Sequence, residues 1–342
     1  MPDTRFGSGR MAGVKIRKGM LVICFFLVSA CASKAPAAYD GLRTFKLGLI
    51  PGAQEFIDFV MERHGMLDQV GLKAEKVKSL SPANLHLMVA ERQVDIGFGG
   101  FTTMATARVE GKDIIVIYGV FSPVNMVFVS KNSPIHSLKD LKGRKLGVFG
   151  GPGSTTFTFL SVIGRKWNDI DLAKDSMLVS APGPALIELL AKGDIDAALL
   201  GTTETIQMAA QDRFRVLVDL SEEYKARTGG HAPAHVTVVT NEAFAKDHGE
   251  VVRDYLKAYK AATQYVHAHP EVWEEYAATI MMNDPKERAL LAAKMGPNIV
   301  ENWDAAQIAI QNEYLKLVHD MPGDNVLKTI PADLIRSDYN PQ

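Results

Sequence analysis

Cysteine is almost missing from this chain: its 342 residues include only Cys24 and Cys31, both near the front. A folded body after them has no disulfide framework, no catalytic thiol and no cysteine-ligated metal. Long apolar runs are missing as well. The stretch from Met20 to Val28 falls well short of the ~20 residues that span hydrocarbon, which argues against a transmembrane anchor. Neither charge sign is in excess, with 38 Lys plus Arg against 39 Asp plus Glu. No basic face and no stripe of interleaved aromatic and basic residues is present, so nucleic acid is not an expected partner. The glycine-rich segment Phe149-Gly150-Gly151-Pro152-Gly153-Ser154-Thr155-Thr156 lacks a Gly-Lys-Ser/Thr ending, which argues against nucleotide binding.

What is present begins at the front. A basic segment (Lys15, Arg17, Lys18) runs into the apolar Met20–Val28 stretch, which stops at Val28-Ser29-Ala30-Cys31. This is the pattern of an export signal ending in a lipobox: residues 1–30 are removed, and Cys31 becomes a lipidated first residue that tethers the chain to a membrane outside the cytoplasm. The competing reading is a plain signal-peptidase cut near Ala35-Pro36-Ala37, leaving a soluble periplasmic protein. Without residues 1–30 the basic and acidic counts become 33 and 38, so the mature chain is mildly acidic. Residues 31–43 are small and weakly apolar, as suits a flexible tether.

From Thr44 apolar strand runs alternate with helical patterns. Strands are expected at 45–50, 73–77, 95–98, 114–118, 126–130, 145–149 and 177–179, with helices at 55–64, 84–91 and 154–165. The alternation predicts α/β layers around a largely parallel sheet. A faint duplication is also visible: residues 83–100 align without gaps on 184–201, with Leu85, Ala90, Asp95 and Gly100 matching Leu186, Ala191, Asp196 and Gly201. Ligands in open α/β sheets sit beyond the carboxyl ends of strands, so the loops after Phe98 and Leu200 should face one cleft.

Five segments carry a family resemblance: Val94–Gly100, Ser133–Val148, Gly153–Phe157, Lys192–Ala198 and Val236–Phe244. Between Thr44 and about Pro270 the chain resembles the solute-binding proteins of ABC importers in the nitrate, sulfonate and taurine group, together with binders of the thiamine pyrimidine precursor. The resemblance implies a two-lobed, periplasmic binding protein-like (type II) α/β fold, with a ligand cleft between lobes joined by two crossing strands. Lobe 1 would comprise residues 44–124 and 238–342, and lobe 2 residues 125–237. It also implies a small-molecule ligand, an ABC permease in the inner membrane as partner, a monomer, and no cofactor.

Candidate ligand contacts follow. Gly52, Ala53 and Gln54 follow the first strand; Phe101, Thr102 and Thr103 follow the first repeat, where Phe101 could stack on a ring. Gly153, Ser154, Thr155 and Thr156 begin a helix whose free amides attract an anion or a carbonyl oxygen. Thr202, Thr203 and Glu204 follow the second repeat, at a place where many members of the resembled family carry Trp-Glu-Pro. That difference points to a roomier or more polar pocket. Asn125, His231 and His235 sit near the expected hinge. The pair His231 and His235 is not expected to hold a metal, since Pro233 breaks the helix that would align the two rings. Fungal pyrimidine-precursor synthases share the resembled fold, but their cysteine-rich motif is absent, and no nucleophile stands in an elbow or triad context. The chain is therefore expected not to be an enzyme. The alternatives are a ligand-sensing lipoprotein docking to a receptor and, ranked after it, an enzyme on the same fold.

Overall fold

The computed structural model describes residues 41–52, 55–79, 81–321 and 326–341. The export segment, Cys31 and the tether as far as residue 40 lie outside these, as do Ala53 and Gln54.

Ten strands form two sheets. In chain order they are β1 (Arg43–Leu49), β2 (Leu72–Lys78), β3 (Ile96–Gly100), β4 (Ile115–Phe121), β5 (Met126–Ser130), β6 (Lys145–Val148), β7 (Met177–Ser180), β8 (Ala197–Leu199), β9 (Phe214–Asp219) and β10 (Val236–Thr240). The first sheet has the order β2-β1-β3-β10-β4 and the second β7-β6-β8-β5-β9. Each is mixed. The βαβ units give parallel pairs, β1 with β2 and β3 in one sheet and β6 with β7 and β8 in the other. The strand that enters from the opposite lobe runs antiparallel to both neighbours, β10 against β3 and β4, β5 against β8 and β9. The expectation of a largely parallel sheet is corrected on this point: a crossing strand comes back from the far side, so its direction is reversed.

The duplicated segments fold alike. Asp95 and Asp196 each accept from a backbone N–H of the neighbouring strand, through Lys46 N to Asp95 Oδ2 at 2.7 Å and Lys145 N to Asp196 Oδ2 at 2.8 Å. The strands held in this way carry Gly48 and Gly147. A Cβ on Gly48 would strike Leu85 and Val94, and one on Gly147 would strike Leu186 and Ile195. Only glycine lets each repeat helix settle so closely on its sheet.

β4 ends the first sheet yet all seven of its residues are buried. Its open edge is closed by the C-terminal region, with Val300 N donating to Val120 O at 3.0 Å, Ser122 N to Asn298 O at 2.8 Å and Arg336 N to Val116 O at 2.9 Å. Covering an apolar edge removes a template for aggregation. The same region stacks Trp273 on Phe56, ring centroids 3.5 Å apart. Each fully buried aromatic of this kind contributes about 1.5–3 kcal/mol through removal of apolar surface from water.

Candidate functional site

Four helices begin just beyond the carboxyl ends of β2, β3, β6 and β8: Pro82–Ala90, Phe101–Val109, Thr155–Trp167 and Thr202–Ala209. Their first turns line one cavity of about 270 Å³ between the two sheets. A helix start leaves amides without intrahelical acceptors and concentrates the positive end of the helix dipole. Convergence of four such ends makes the cavity electropositive without a fixed charge. No Lys, Arg, Asp or Glu is among the described residues of its wall. Apolar surface comes from Ile50, Phe98, Phe149 and Val236, polar groups from Asn125, Ser154, His86 and His235.

Local chemistry fixes the loop after β6. Gly150 and Gly151 adopt φ of +74° and +78°, a left-handed conformation that favours glycine. They turn the chain so that Ser154 caps the next helix, accepting from Phe157 N at 3.2 Å while its hydroxyl donates to Phe149 O at 3.2 Å. Across the cavity the lobes touch. Thr103 N donates to Thr155 Oγ1 at 3.2 Å, and the two hydroxyls are 2.9 Å apart. Thr156 Oγ1 lies 3.0 Å from Nε2 of the buried His235, just ahead of the returning strand β10. Asn125, beside the other crossing strand, donates from Nδ2 to Leu200 O at 2.9 Å. Burial lowers the pKa of both His86 and His235 to about 4, so both rings are neutral at neutral pH.

The cavity wall includes eight of the residues expected from sequence: Thr103, Asn125, Gly153, Ser154, Thr155, Thr156, Thr202 and His235. The others stand elsewhere. Phe101 is fully buried and packs toward Tyr314, ring centroids 6.5 Å apart, so it offers no face to a ligand. Thr102 is buried beside it. Gly52 faces Thr203 across the cleft mouth, where an added Cβ would stand 2.9 Å from Thr203 Oγ1, and its carbonyl accepts from the Tyr276 hydroxyl. Glu204 packs its carboxylate against Gly183 and Gly201, behind the wall, and burial raises its pKa. His231 is exposed. Among the described residues no group of three or more His, Cys, Asp and Glu could hold a metal ion.

Sequence reasoning passed over His86. A signal was available: the aligned position of the second repeat is the apolar Ile187, so a polar ring stands where the duplicated helix otherwise presents an aliphatic group. Phe98, within β3, and Phe149, just after β6, also went unread as wall residues.

Two lobes, two crossing strands and a cavity between helix starts define the periplasmic binding protein fold. The alkanesulfonate-binding protein SsuA from Xanthomonas axonopodis pv. citri, solved with MOPS bound, superposes with a TM-score of 0.70 at 16% identity, covering 86% of this chain and 98% of that one. At that identity the likeness speaks for the fold alone. The NMT1/THI5-like family model matches residues 56–272, and the chain belongs to that family. A Haemophilus influenzae protein named for thiamine biosynthesis is 26% identical over 225 residues, 64% of this chain and 67% of its own length. The 4-amino-5-hydroxymethyl-2-methylpyrimidine phosphate synthase of Aspergillus parasiticus is 26% identical over 230 residues, 64% of this chain and 65% of its own length. The chain thus spans about two thirds of these relatives. Their names overturn one expectation. The sequence reading set the enzyme class aside because a cysteine-rich motif and a triad are missing, yet curated relatives in this family are named as synthases.

Proposed function

We propose that the chain captures a small organic solute in the cavity between its lobes, and that the lobes close on it. The observation that carries this reading is the convergence of four helix starts on a cavity of about 270 Å³ whose two sides are already joined by the Thr103–Thr155 hydrogen bonds. The volume suits a ligand of modest size, and the mixture of apolar wall and first-turn amides suits a solute with one apolar part and one hydrogen-bonding part. Lobe 1 would be 44–124 with 238–342 and lobe 2 would be 125–237, so that β5 and β10 carry the hinge rotation. Ligand contacts would come from Thr103, Asn125, Gly153, Ser154, Thr155, Thr156 and Thr202.

In the same reading the protein is exported, anchored through lipidated Cys31, and delivers its solute to an ABC permease. The lipobox sequence and the fold support this; among the described residues no helix is long and apolar enough to cross a membrane. The synthase names of the curated relatives favour a second reading, chemistry on a ligand held in the same cavity. A thermal-shift screen of the purified protein against aliphatic and aryl sulfonates, carboxylates and pyrimidines tests capture. A ligand at 100 times its Kd stabilises by about 2.7 kcal/mol. Mass spectrometry of each stabilising compound after incubation separates the two readings, since capture returns it unchanged and a synthase does not. No stabilisation by any compound would count against both.

A further inference from the structure

The helices Val272–Thr279 and Pro285–Met295 form a hairpin whose two arms rest on different lobes. The first arm is seated on lobe 1. Trp273 stacks on Phe56 with ring centroids 3.5 Å apart, Tyr276 packs against Phe56 and Phe59, and the Tyr276 hydroxyl donates to Gly52 O at the cleft mouth. The second arm lies against the helix Thr202–Ala209 of lobe 2, whose first residue lines the cavity. Lys294 Nζ on this arm reaches Asp219 Oδ2 at 2.8 Å, and the Asp219 side chain is only 16% exposed. Near the start of the same arm Lys286 Nζ stands 4.0 Å from Asp212 Oδ2.

Arg288 locks the arms together. Its Nε donates to Met282 O at 2.8 Å, in the turn between the helices, and its Nη1 donates to Glu274 Oε2 at 3.2 Å, on the first arm. The chain leaving the second arm also holds both lobes. Buried Asn298 accepts through Oδ1 from Lys225 Nζ at 3.1 Å and from Ser221 Oγ at 3.3 Å in lobe 2, while its carbonyl accepts from Ser122 N, just past β4, at 2.8 Å. Two crossing strands alone leave rigid lobes free to swing about a hinge. A locked hairpin across the same gap opposes that swing, and its two grips differ in kind. Stacked aromatics fix the arm on lobe 1, whereas Lys294 and Asp219 form a partly exposed ion pair that separates at modest cost.

We propose that this hairpin is a brace that holds the ligand-free lobes near their closed arrangement, with Lys294 as a positioning residue whose ion pair to Asp219 is the point of release. The proposal rests on the reading that the lobes open and close around a solute, and it adds a third connection to the two crossing strands. Holding part of the free protein closed lowers the cost of closure and so strengthens apparent affinity for whatever the cavity takes.

Thr103 N is a direct reporter of lobe separation, because it donates to Thr155 Oγ1 in the opposite lobe. Hydrogen exchange of the Thr103 amide is followed by NMR in the full-length, ligand-free protein, with the amides of β1 and β6 as reporters of global unfolding. Lys294→Met should speed exchange at Thr103 about fivefold, as for loss of one charge-assisted hydrogen bond at a partly exposed site. Exchange in β1 and β6 should stay as in the native protein, and Lys294→Arg should restore the native rate at Thr103. Arg288→Met should give the same acceleration, since unlocking the arms also releases the brace, and combining it with Lys294→Met should add nothing further. Asp219→Asn keeps an acceptor for Ser221 N and Glu222 N and takes the place of Lys294→Met if that variant fails to fold. Unchanged exchange at Thr103 overturns the proposal. So does acceleration shared by β1 and β6, which would make the ion pair a matter of overall stability, and so does additive acceleration in the double variant, since independent contacts are not one brace. The measurement uses no ligand, so each of these results leaves solute capture to be decided separately by the thermal-shift screen.

Discussion

Thr103 and Thr155 meet with their hydroxyl oxygens 2.9 Å apart, one in the first turn of a helix that follows β3, the other opening the helix that follows β6. The contact joins the two lobes directly over the cavity. Gly100 stands beside it, and a Cβ there would run into Thr155.

Alanine at Thr103 and at Thr155, singly and together, should therefore show coupling in ligand affinity. A double-mutant cycle should give an interaction of about 1 kcal/mol, the net worth of one such hydrogen bond. The melting temperature without ligand should move much less than the affinity. Gly100→Ala should weaken binding more than either, by about tenfold, because its methyl group would run into the Thr155 side chain where the two lobes meet. Equal affinity in Gly100→Ala and the native protein would show that this closed arrangement is not the binding form.

Stability should depend on pH through the two buried imidazoles. Both have a pKa of about 4 in the fold against about 6.5 in an unfolded chain. Between these values the unfolded state binds more protons, so stability falls as pH drops from 6.5 toward 4 and is unaffected by these groups above 6.5. The loss should be on the order of 2–3 kcal/mol from the fully buried His235, and less from the half-buried His86. Urea titrations at pH 4.5 and 7 measure it. His235→Gln should flatten the profile, and a profile just as steep in that variant would place the titration elsewhere.

The duplicated glycines should respond alike to the same change. Gly48→Ala and Gly147→Ala each force a methyl group into the leucine of a repeat helix, Leu85 or Leu186. Overpacking of this kind costs about 1–3 kcal/mol. Chemical denaturation should give similar losses for both variants. A loss confined to one of them would mean that the repeat helices are not seated equivalently.

Closure of the β4 edge gives a fourth expectation. Val300→Pro deletes the N–H that donates to Val120 O at 3.0 Å, a change that costs about 3 kcal/mol where a backbone bond is lost and the ring clashes. The variant should aggregate on mild heating well before the native protein, as light scattering would record. Unchanged aggregation would show that the C-terminal region is not what shields this edge.

Much of the fold could be read from sequence because its signals are local. The apolar runs of β1, β5 and β6 and the Ser154 helix cap announce themselves within a few residues, and the repeat around Asp95 and Asp196 fixed where two strands end. Strand direction is a non-local property, so the antiparallel insertion of β5 and β10 did not follow from alternation alone. The C-terminal region also escaped, because its work is to seal β4 and stack Trp273 on Phe56, contacts set by tertiary packing. At the site, helix starts are legible but side-chain facing is not. Phe101 is the first residue of its helix, yet its ring turns into the core toward Tyr314 while Thr103, two residues on, reaches the cavity. His86 required comparison of the two repeats, where Ile187 occupies the equivalent place.

Hydrogen exchange with and without a stabilising ligand tests capture between the lobes most directly. Binding at the four helix starts should slow exchange together at residues 83–85, 101–103, 155–157 and 202–204, and at the crossing strand β10, because one ligand orders groups from both lobes. Protection confined to a single lobe, or located away from these first turns, would contradict closure of the lobes on a solute in this cavity.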